Sequence, residues 1–443
     1  MKQKIKLAIT MLVLGACWAV VYLVPFLQYT WYDPFKEFIG GTNTQLGLLL
    51  TIYGFGNVFG APVGGWVADR FNYKIIYVLS VFLNGLFAIL FLLHPTYGFA
   101  VVMWIGFAVA SLFFNYPAHI KIVRELASDE NQGKIFGFNE TSIGLFNVLI
   151  SSAMMFAFTK YATNVGGIRA AVICNAIISF ALTILAIIVL ENPAKKKVDN
   201  AEKANISESP TLSEEAAIEE NKDDNEKKSF FMDFKEIAKQ PATWLVAISI
   251  FAVYSFMTTL TYFTPYFTQV MGITVTFTGW AAIARQYGMQ IVGAPIGGVI
   301  TDRLKSPSKV LIGVYVIGLA GLIYMLVPKA SITVPTVIVI TLALSFFVYI
   351  GRGAYYATLT EAGVPRELSA STIGIAAAVG FSPDLFQFTL FGYWLDTQGN
   401  KAFNYIFIYQ IIVLVIGILA SLAIIKMSKK NKELDSNVQL ETK

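Results

Sequence analysis

The sequence predicts an all-α membrane protein with twelve transmembrane helices in two parallel six-helix repeats, on three observations. Of its 443 residues, 56% are hydrophobic and only 14% are charged, whereas soluble domains are about one quarter charged. Twelve apolar runs of about twenty residues follow one another, and runs of that length satisfy their backbone groups in lipid only as helices. Finally, one eleven-residue phrase occurs twice, as GAPVGGWVADR at 60–70 and as GAPIGGVITDR at 293–303.

Charged and turn residues bound the apolar runs and divide the chain into regions. The predicted helices cover 6–30, 44–68, 74–94, 97–121, 134–160 and 167–191, and then 242–270, 277–301, 308–328, 332–358, 369–396 and 402–426. Between the two sets lies a polar stretch, 192–229, without aromatic residues, and it is followed by SFFMDFKEIAKQ, which predicts a short interfacial helix. We therefore expect an N-terminal bundle (1–191), a cytoplasmic linker (192–240), a C-terminal bundle (241–426) and a cytoplasmic tail (427–443).

The distribution of lysine and arginine predicts the orientation. If the N-terminus is cytoplasmic, 26 of the 33 basic residues fall in cytoplasmic segments and five in outer ones. Basic residues accumulate on the cytoplasmic side of membrane proteins. This distribution predicts a multi-pass protein of the cytoplasmic (inner) membrane with both termini inside, and the net charge of +5 is no evidence for a nucleic-acid partner.

The repeated phrase predicts how the two halves are related. Its copies are separated by six membrane crossings, an even number, so both halves insert in the same direction. Two parallel bundles of this kind face each other across an axis along the membrane normal. A cavity at their interface can open to either side when the bundles rock, which predicts alternating access.

The end of each phrase resembles the loop motif of the major facilitator superfamily between its second and third helices. The motif is Gly65-x-x-x-Asp69-Arg70, and it recurs as Gly298-x-x-x-Asp302-Arg303 between helices eight and nine. The resemblance implies that Gly65, Asp69, Arg70, Asp302 and Arg303 are gating residues at the cytoplasmic rim. This sequence departs from the family pattern at Asn72 and Tyr73, where the family usually has a glycine and a base.

Four ionisable residues lie inside predicted helices, where charge is costly and usually functional. Arg285 lies about 13 Å below the outer end of helix eight, at 1.5 Å per residue. Arg352, Asp384 and Glu140 lie in helices ten, eleven and five. One interpretation pairs an arginine with Asp384 to hold the C-terminal bundle together. The other assigns Arg285 and Arg352 to an anionic substrate and Asp384 and Glu140 to proton coupling.

Uncharged polar and aromatic residues complete the predicted binding site. Tyr22 and Tyr262 occupy the same place in the repeat, three residues before Pro25 and Pro265. Gln290 and Tyr356 lie near the two arginines in the sequence. We therefore add Tyr22, Tyr262, Gln290 and Tyr356 to the substrate-binding residues.

These features predict a secondary transporter for a small organic solute, and the two arginines favour a sugar, a sugar acid or a phosphorylated or sulfonated sugar. The segment NTQLGLLLTIYGFGNVFGAPVGGWVADRF resembles a branch of the superfamily that includes carriers of sugar phosphates and related organic anions and a poorly characterised sugar-transporter-like group. The alternatives are efflux of hydrophobic compounds and a membrane sensor that does not transport. An enzyme is not expected, because catalytic motifs such as G-x-S-x-G are missing. We expect a monomer in the bilayer, coupled to protons, with no cofactor and no metal.

Overall fold

A computed structural model describes residues 2–126, 132–191, 237–327, 333–364 and 369–441 of the chain. The described residues are almost entirely helical. Residues 192–236 of the predicted linker, which include most of the predicted interfacial helix, lie outside this description, and only 237–239 of that helix are seen, in helical conformation.

Six long helices form the N-terminal half. They are α1 (Lys2–Leu23), α2 (Asn43–Arg70), α3 (Tyr73–Leu93), α4 (Tyr97–Ala108, a π-helical stretch Val109–Asn115 and Tyr116–Leu126), α5 (Gln132–Phe158) and α6 (Asn164–Val189). The predicted first helix ran to residue 30, but α1 ends at Leu23, just before Pro25, which has no backbone N–H to donate. The chain then forms a 3₁₀ turn, Leu27–Tyr29, and a short helix, Tyr32–Ile39.

Six further helices form the C-terminal half, and four of them are interrupted or change helix type along their length. They are α7 (Pro241–Leu260 and Phe263–Gln269), α8 (Val275–Ile283, a π-helical stretch Ala284–Gly288 and Met289–Leu304), α9 (Pro307–Met325), α10 (Val334–Ala354, a 3₁₀ turn Tyr355–Ala357 and Thr358–Glu361), α11 (Ser369–Gly380 and Pro383–Gln398) and α12 (Ala402–Glu441). The predicted last helix ended at residue 426, and α12 continues fifteen residues into the predicted tail.

Nine segments of the described residues are long and apolar enough to cross a membrane. The last of them, Thr372–Asn431, contains both α11 and α12.

The halves meet along two pairs of helices that the repeat makes equivalent. The most extensive contact between two helices in the molecule joins α2 to the second part of α11, and a smaller one joins α5 to α8. Because α8 repeats α2 and α11 repeats α5, a rotation about one axis exchanges the two contacts. This arrangement is the parallel repeat that the sequence predicts.

Glycines of the repeated phrase bring helices together inside each half. A Cβ on Gly64 would lie 2.3 Å from the backbone oxygen of Phe113, and a Cβ on Gly297 would lie 2.3 Å from that of Ile350. The equivalent glycines therefore seat α2 on α4 and α8 on α10 at backbone distance.

The two faces of the protein differ in how the halves touch. We call the face that holds Lys6 and Glu191, which form an ion pair, the terminal face. The face that holds Asp33 and Asp396 is the distal face. Along α11 it is the distal part, Pro383–Gln398, that packs on α2, and no comparable contact with α2 involves Ser369–Gly380 in the described residues. The halves are therefore closed together on the distal side.

Candidate functional site

Arg285 is a buried cation without a carboxylate partner. Only 1% of its surface is exposed, and Nη2 donates to Thr264 Oγ1 at 2.7 Å. Within the described residues, the Nε and Nη1 atoms have no hydrogen-bond partner and no carboxylate lies within 4 Å of the guanidinium. Buried charges in proteins are usually paired. The unsatisfied N–H groups therefore fit an anion of the kind that arginine binds, a carboxylate or a phosphate.

The π-helical stretch Ala284–Gly288 sets the position of this arginine. Two α10 side chains donate to carbonyls of the stretch: Ser345 Oγ to Arg285 O and Tyr349 OH to Gln286 O, both at 2.5 Å. A π-helical turn shifts the side chains after it around the helix axis, and such turns are common at functional sites. The local fold of α8 is thus held by α10, and it turns Arg285 towards α7.

Thr264 connects this arginine to the other half of the protein. Its hydroxyl accepts from Arg285 and donates to Tyr29 O at 2.8 Å. Tyr29 lies in the 3₁₀ turn after α1, and all three residues of that turn are buried. A chain of two hydrogen bonds therefore runs from α8 through α7 to the N-terminal half.

A second group of residues, exposed and drawn from both halves, forms a polar surface on the terminal side that we call the vestibule. Arg352 and Tyr356 of α10 are exposed there, opposite the exposed Tyr116 of α4 and Glu140 of α5. The charges of Arg352 and Glu140 are close enough to act on each other and on Tyr116. Arg352 and Glu140 therefore belong to one polar surface, although they come from different halves.

Asp384 lies in the contact between the halves. It is 5% exposed and accepts a hydrogen bond from Tyr254 OH at 2.7 Å. On its other side is α2, where a Cβ on Gly54 would lie 2.8 Å from Asp384 Cβ. Neither Arg285 nor Arg352 forms an ion pair with Asp384 in the described residues. The predicted internal ion pair that would hold the C-terminal bundle together is thus not formed in this conformation.

The remaining predicted binding residues differ in how deeply they are buried and in whether their polar groups already have hydrogen-bond partners. Tyr22 is half-buried, stacks on Trp18 with ring centroids 4.9 Å apart, and donates to Ser111 O at 3.4 Å. Tyr262 is buried and donates to Phe388 O of α11 at 2.9 Å. Gln290 is half-buried on α8. In this conformation the Tyr262 hydroxyl already donates its hydrogen bond to α11.

Two aspartates, one from each half, join the halves on the distal face, and sequence reasoning missed both. Asp396 of α11 accepts from Asn43 N and Asn43 Nδ2 at 3.0 and 2.8 Å and from Thr44 N and Thr44 Oγ1 at 2.8 and 2.6 Å. It thereby caps the first turn of α2, where a carboxylate is favoured by the helix dipole. Asp33 accepts from Gln269 Nε2 at 2.6 Å and also from Thr268 Oγ1. Each half thus supplies one aspartate that accepts hydrogen bonds from the other half.

Comparison with known proteins identifies the family. The model of the Major Facilitator Superfamily matches residues 7–387. The chain belongs to this superfamily. It is 27% identical over 425 residues to the inner membrane protein YihN of Escherichia coli K12, covering 95% of this chain and 96% of YihN. It is 24% identical over 387 residues to the probable galactarate/D-glucarate transporter GudP of Bacillus subtilis 168, covering 83% of this chain and 81% of GudP.

The fold of this superfamily member also matches a solved structure. The inward open conformation of the xylose transporter XylE from E. coli superimposes with a TM-score of 0.66 at 16% identity, over 96% of this chain and 95% of XylE. At that identity the similarity concerns the fold alone. This chain is accordingly a multi-pass membrane transporter with the twelve-helix architecture of its superfamily.

The gating residues predicted from the superfamily motif lie on the terminal face. Asp302 and Arg303 at the end of α8 are exposed, as is Arg70 at the end of α2. Gly65 and Asp69 lie in the last turns of α2, and the Asp69 side chain is outside the described part of the structure. Glu361, a nearby acid that is not part of the motif, has two hydrogen-bond partners at the start of α9. Glu361 accepts from Ser306 Oγ at 2.5 Å and from Ser308 N at 2.8 Å, and so joins the end of α10 to the start of α9.

Proposed function

We propose that this transporter carries a small organic anion, with Arg285 as the residue that binds the anionic group. The observation that carries the proposal is the buried guanidinium whose Nε and Nη1 atoms have no partner in the described protein. Breaking a buried ion pair by removing one partner costs about 3–5 kcal/mol, so an anion that completes such a pair gains a strong contact. An efflux carrier for hydrophobic compounds has no use for this group.

The substrate class we propose is a sugar acid or a phosphorylated or sulfonated sugar. Such molecules combine an anionic group with hydroxyls, and the vestibule offers Arg352 and Tyr356 as further polar contacts. The relative GudP is named a probable transporter of galactarate and D-glucarate, which are sugar acids. Both lines of support point to carboxylate-bearing or phosphate-bearing sugars over neutral ones.

We further propose that the protein lies in the inner membrane with its terminal face in the cytoplasm. The relative YihN is an inner membrane protein, and the basic residues accumulate on the terminal side. Transport then requires the contacts of Asp33 and Asp396 to break so that the distal face opens.

A substrate panel in proteoliposomes tests the function. Uptake of radiolabelled D-glucarate, galactarate, glucose 6-phosphate and a sulfonated sugar is measured beside glucose and a hydrophobic cation, with and without an inward proton gradient. We expect at least one anionic sugar to be accumulated and the neutral sugar and the cation not to be. Transport of the hydrophobic cation alone would instead support efflux, and binding without transport would support a sensor.

Proton coupling is the second part of the proposal, with Asp384 and Glu140 as the residues that carry the proton. Asp384 is the buried one, and its position between α2 and α11 means that its charge is desolvated only while the halves are closed together. Protonation removes the cost of burying that charge. A proton on Asp384 therefore favours the closed contact.

Replacing Asp384 with Asn should abolish proton-driven accumulation of the substrate but leave substrate exchange intact. The amide keeps the shape of the protonated carboxyl but cannot release a proton, so the proton gradient should no longer drive accumulation. Exchange of labelled for unlabelled substrate at equal pH should continue, because it needs no net proton movement. Glu140→Gln, on the exposed vestibule wall, is the matched variant for the second predicted residue. Accumulation that still follows the gradient in Asp384→Asn would remove this residue from the coupling mechanism.

A further inference from the structure

Among the described residues, Thr264 is the only one that hydrogen-bonds to the guanidinium of Arg285, and its hydroxyl also bonds to the other half. The hydroxyl has a single hydrogen, which it donates to Tyr29 O at 2.8 Å, while its oxygen accepts from Arg285 Nη2 at 2.7 Å. The hydroxyl is 2% exposed, so neither bond competes with bulk water. The two bonds are therefore linked through one oxygen atom.

We propose that Thr264 couples the anion-binding state of Arg285 to the closure of the distal face. A hydrogen bond donated by a cation polarises the hydroxyl that accepts it and makes that hydroxyl a better donor. With Arg285 bound to Thr264, the bond to Tyr29 O is strengthened and the halves are held together. When an anion draws the guanidinium to itself, that support weakens. The proposal rests on the proposed function of Arg285 and adds a route from the anion to the gate.

The position of Thr264 on its helix explains how a small shift of this residue can affect a second contact between the halves. It lies in the short helical piece Phe263–Gln269, which follows a break in α7 at Thr261–Tyr262. The same piece carries Thr268 and Gln269, which bind Asp33 at the distal rim. A shift of Thr264 is thus transmitted along one turn of helix to the second contact between the halves.

A double-mutant cycle on the ligand-free protein tests the route. Spin labels are placed at Lys160→Cys and Lys401→Cys, exposed sites on the distal side of the two halves, after Cys17→Ala and Cys174→Ala. The distribution of distances between the labels gives the ratio of closed to open protein. Thr264→Val and Arg285→Met are each expected to lower this ratio about tenfold, the effect of one hydrogen bond to a charged or polarised group.

Whether the effects of Thr264→Val and Arg285→Met on this ratio are additive decides whether the proposal holds. If the bonds act in series, the double variant should lower the ratio no further than either single variant. Thr264→Ser, which keeps the hydroxyl, should preserve it. Thr261→Val is the matched control, because it removes a buried hydroxyl that has no partner in the described structure, on the same break of α7. Additive effects of the two substitutions, or an unchanged ratio in either single variant, would overturn the proposal.

The cycle can fail independently of the proposed function, because it uses no ligand. If anion uptake depends on Arg285 but the cycle shows additivity, Arg285 binds the substrate and closure is controlled elsewhere. If the cycle shows full coupling but uptake does not depend on Arg285, the route holds the gate and the anion site lies elsewhere.

Discussion

Uptake of the anionic substrate should fall about 100-fold or more when Arg285 is replaced by Gln. The substitution removes the positive charge and leaves an amide of shorter reach in the same buried place. A lost buried ion pair of about 3–5 kcal/mol corresponds to at least two powers of ten in binding. The measurement is the initial rate of uptake in proteoliposomes at a substrate concentration well below saturation.

The loss should not come from misfolding. A buried charge without a carboxylate partner is costly to the folded protein, and replacing buried charges with neutral groups is often neutral or stabilising. The thermal midpoint of Arg285→Gln should therefore equal or exceed that of the native protein. A substitution that abolishes uptake while leaving stability intact assigns the residue to transport.

Two further variants show whether Arg285 acts by its charge or by its shape. Arg285→Lys keeps the charge but not the planar fork of donors, so we expect a partial loss. Arg352→Gln changes a residue that is exposed in the vestibule, and its effect should be smaller because its site is hydrated. Uptake that survives Arg285→Gln unchanged would contradict the proposed anion site.

Much of the architecture was predictable because it follows from length, composition and repetition. Runs of apolar residues define helices in a membrane without reference to their neighbours. The repeat of GAPVGGWVADR as GAPIGGVITDR predicted equivalent roles, and Gly64 and Gly297 indeed seat equivalent helices. These inferences do not require knowledge of which helices pack against each other.

The environment of Arg285 was less predictable, because it depends on which way the side chain points around its helix. The rise of 1.5 Å per residue predicted its depth. The π-helical stretch Ala284–Gly288 changes its angular position, and that stretch depends on Ser345 and Tyr349, about sixty residues away. The sequence groups Arg285 with Arg352 because both lie inside apolar helices, whereas the structure buries the first and exposes the second.

The acids of the distal face were missed for a related reason. Asp33 and Asp396 stand near helix ends, where an acid is ordinarily a solvated loop residue. Asp396 reaches Asn43 and Thr44, which are more than 350 positions away in the sequence. Such a cap is recognised only when the two halves are placed together. The motif that the sequence did offer, around Asp69 and Asp302, marks the other face.

Alanine in place of Gly47 or Gly392 should stop transport by preventing the distal face from closing. A Cβ on Gly47 would lie 2.2 Å from Phe388 O, and a Cβ on Gly392 would lie 2.2 Å from Asn43 O. Both obstructing atoms belong to the backbone, so a change of rotamer cannot relieve the overlap. Overpacking of this kind costs about 1–3 kcal/mol, which shifts the ratio of closed to open protein by about five-fold to 150-fold.

The measurement combines transport with the same pair of spin labels on Lys160→Cys and Lys401→Cys. We expect the label distance to lengthen in Gly47→Ala and Gly392→Ala and uptake to fall in proportion to the lost closed population. Gly313→Ala in α9 is the matched control, because a Cβ there meets no atom within 4 Å. An unchanged distance in both α2 and α11 variants would mean that this contact does not limit closure.

These substitutions act on one conformation and not on the stability of either half. Gly47 and Gly392 each meet backbone atoms of the opposite half, so the overlap disappears once the halves part. Alanine is also a better helix former than glycine by about 0.5–1 kcal/mol, so each separate half should gain stability. The thermal midpoint should accordingly stay level or rise while transport falls. That combination distinguishes a block of the alternating cycle from damage to the fold, and it assigns to the α2–α11 contact the step that closes the distal face.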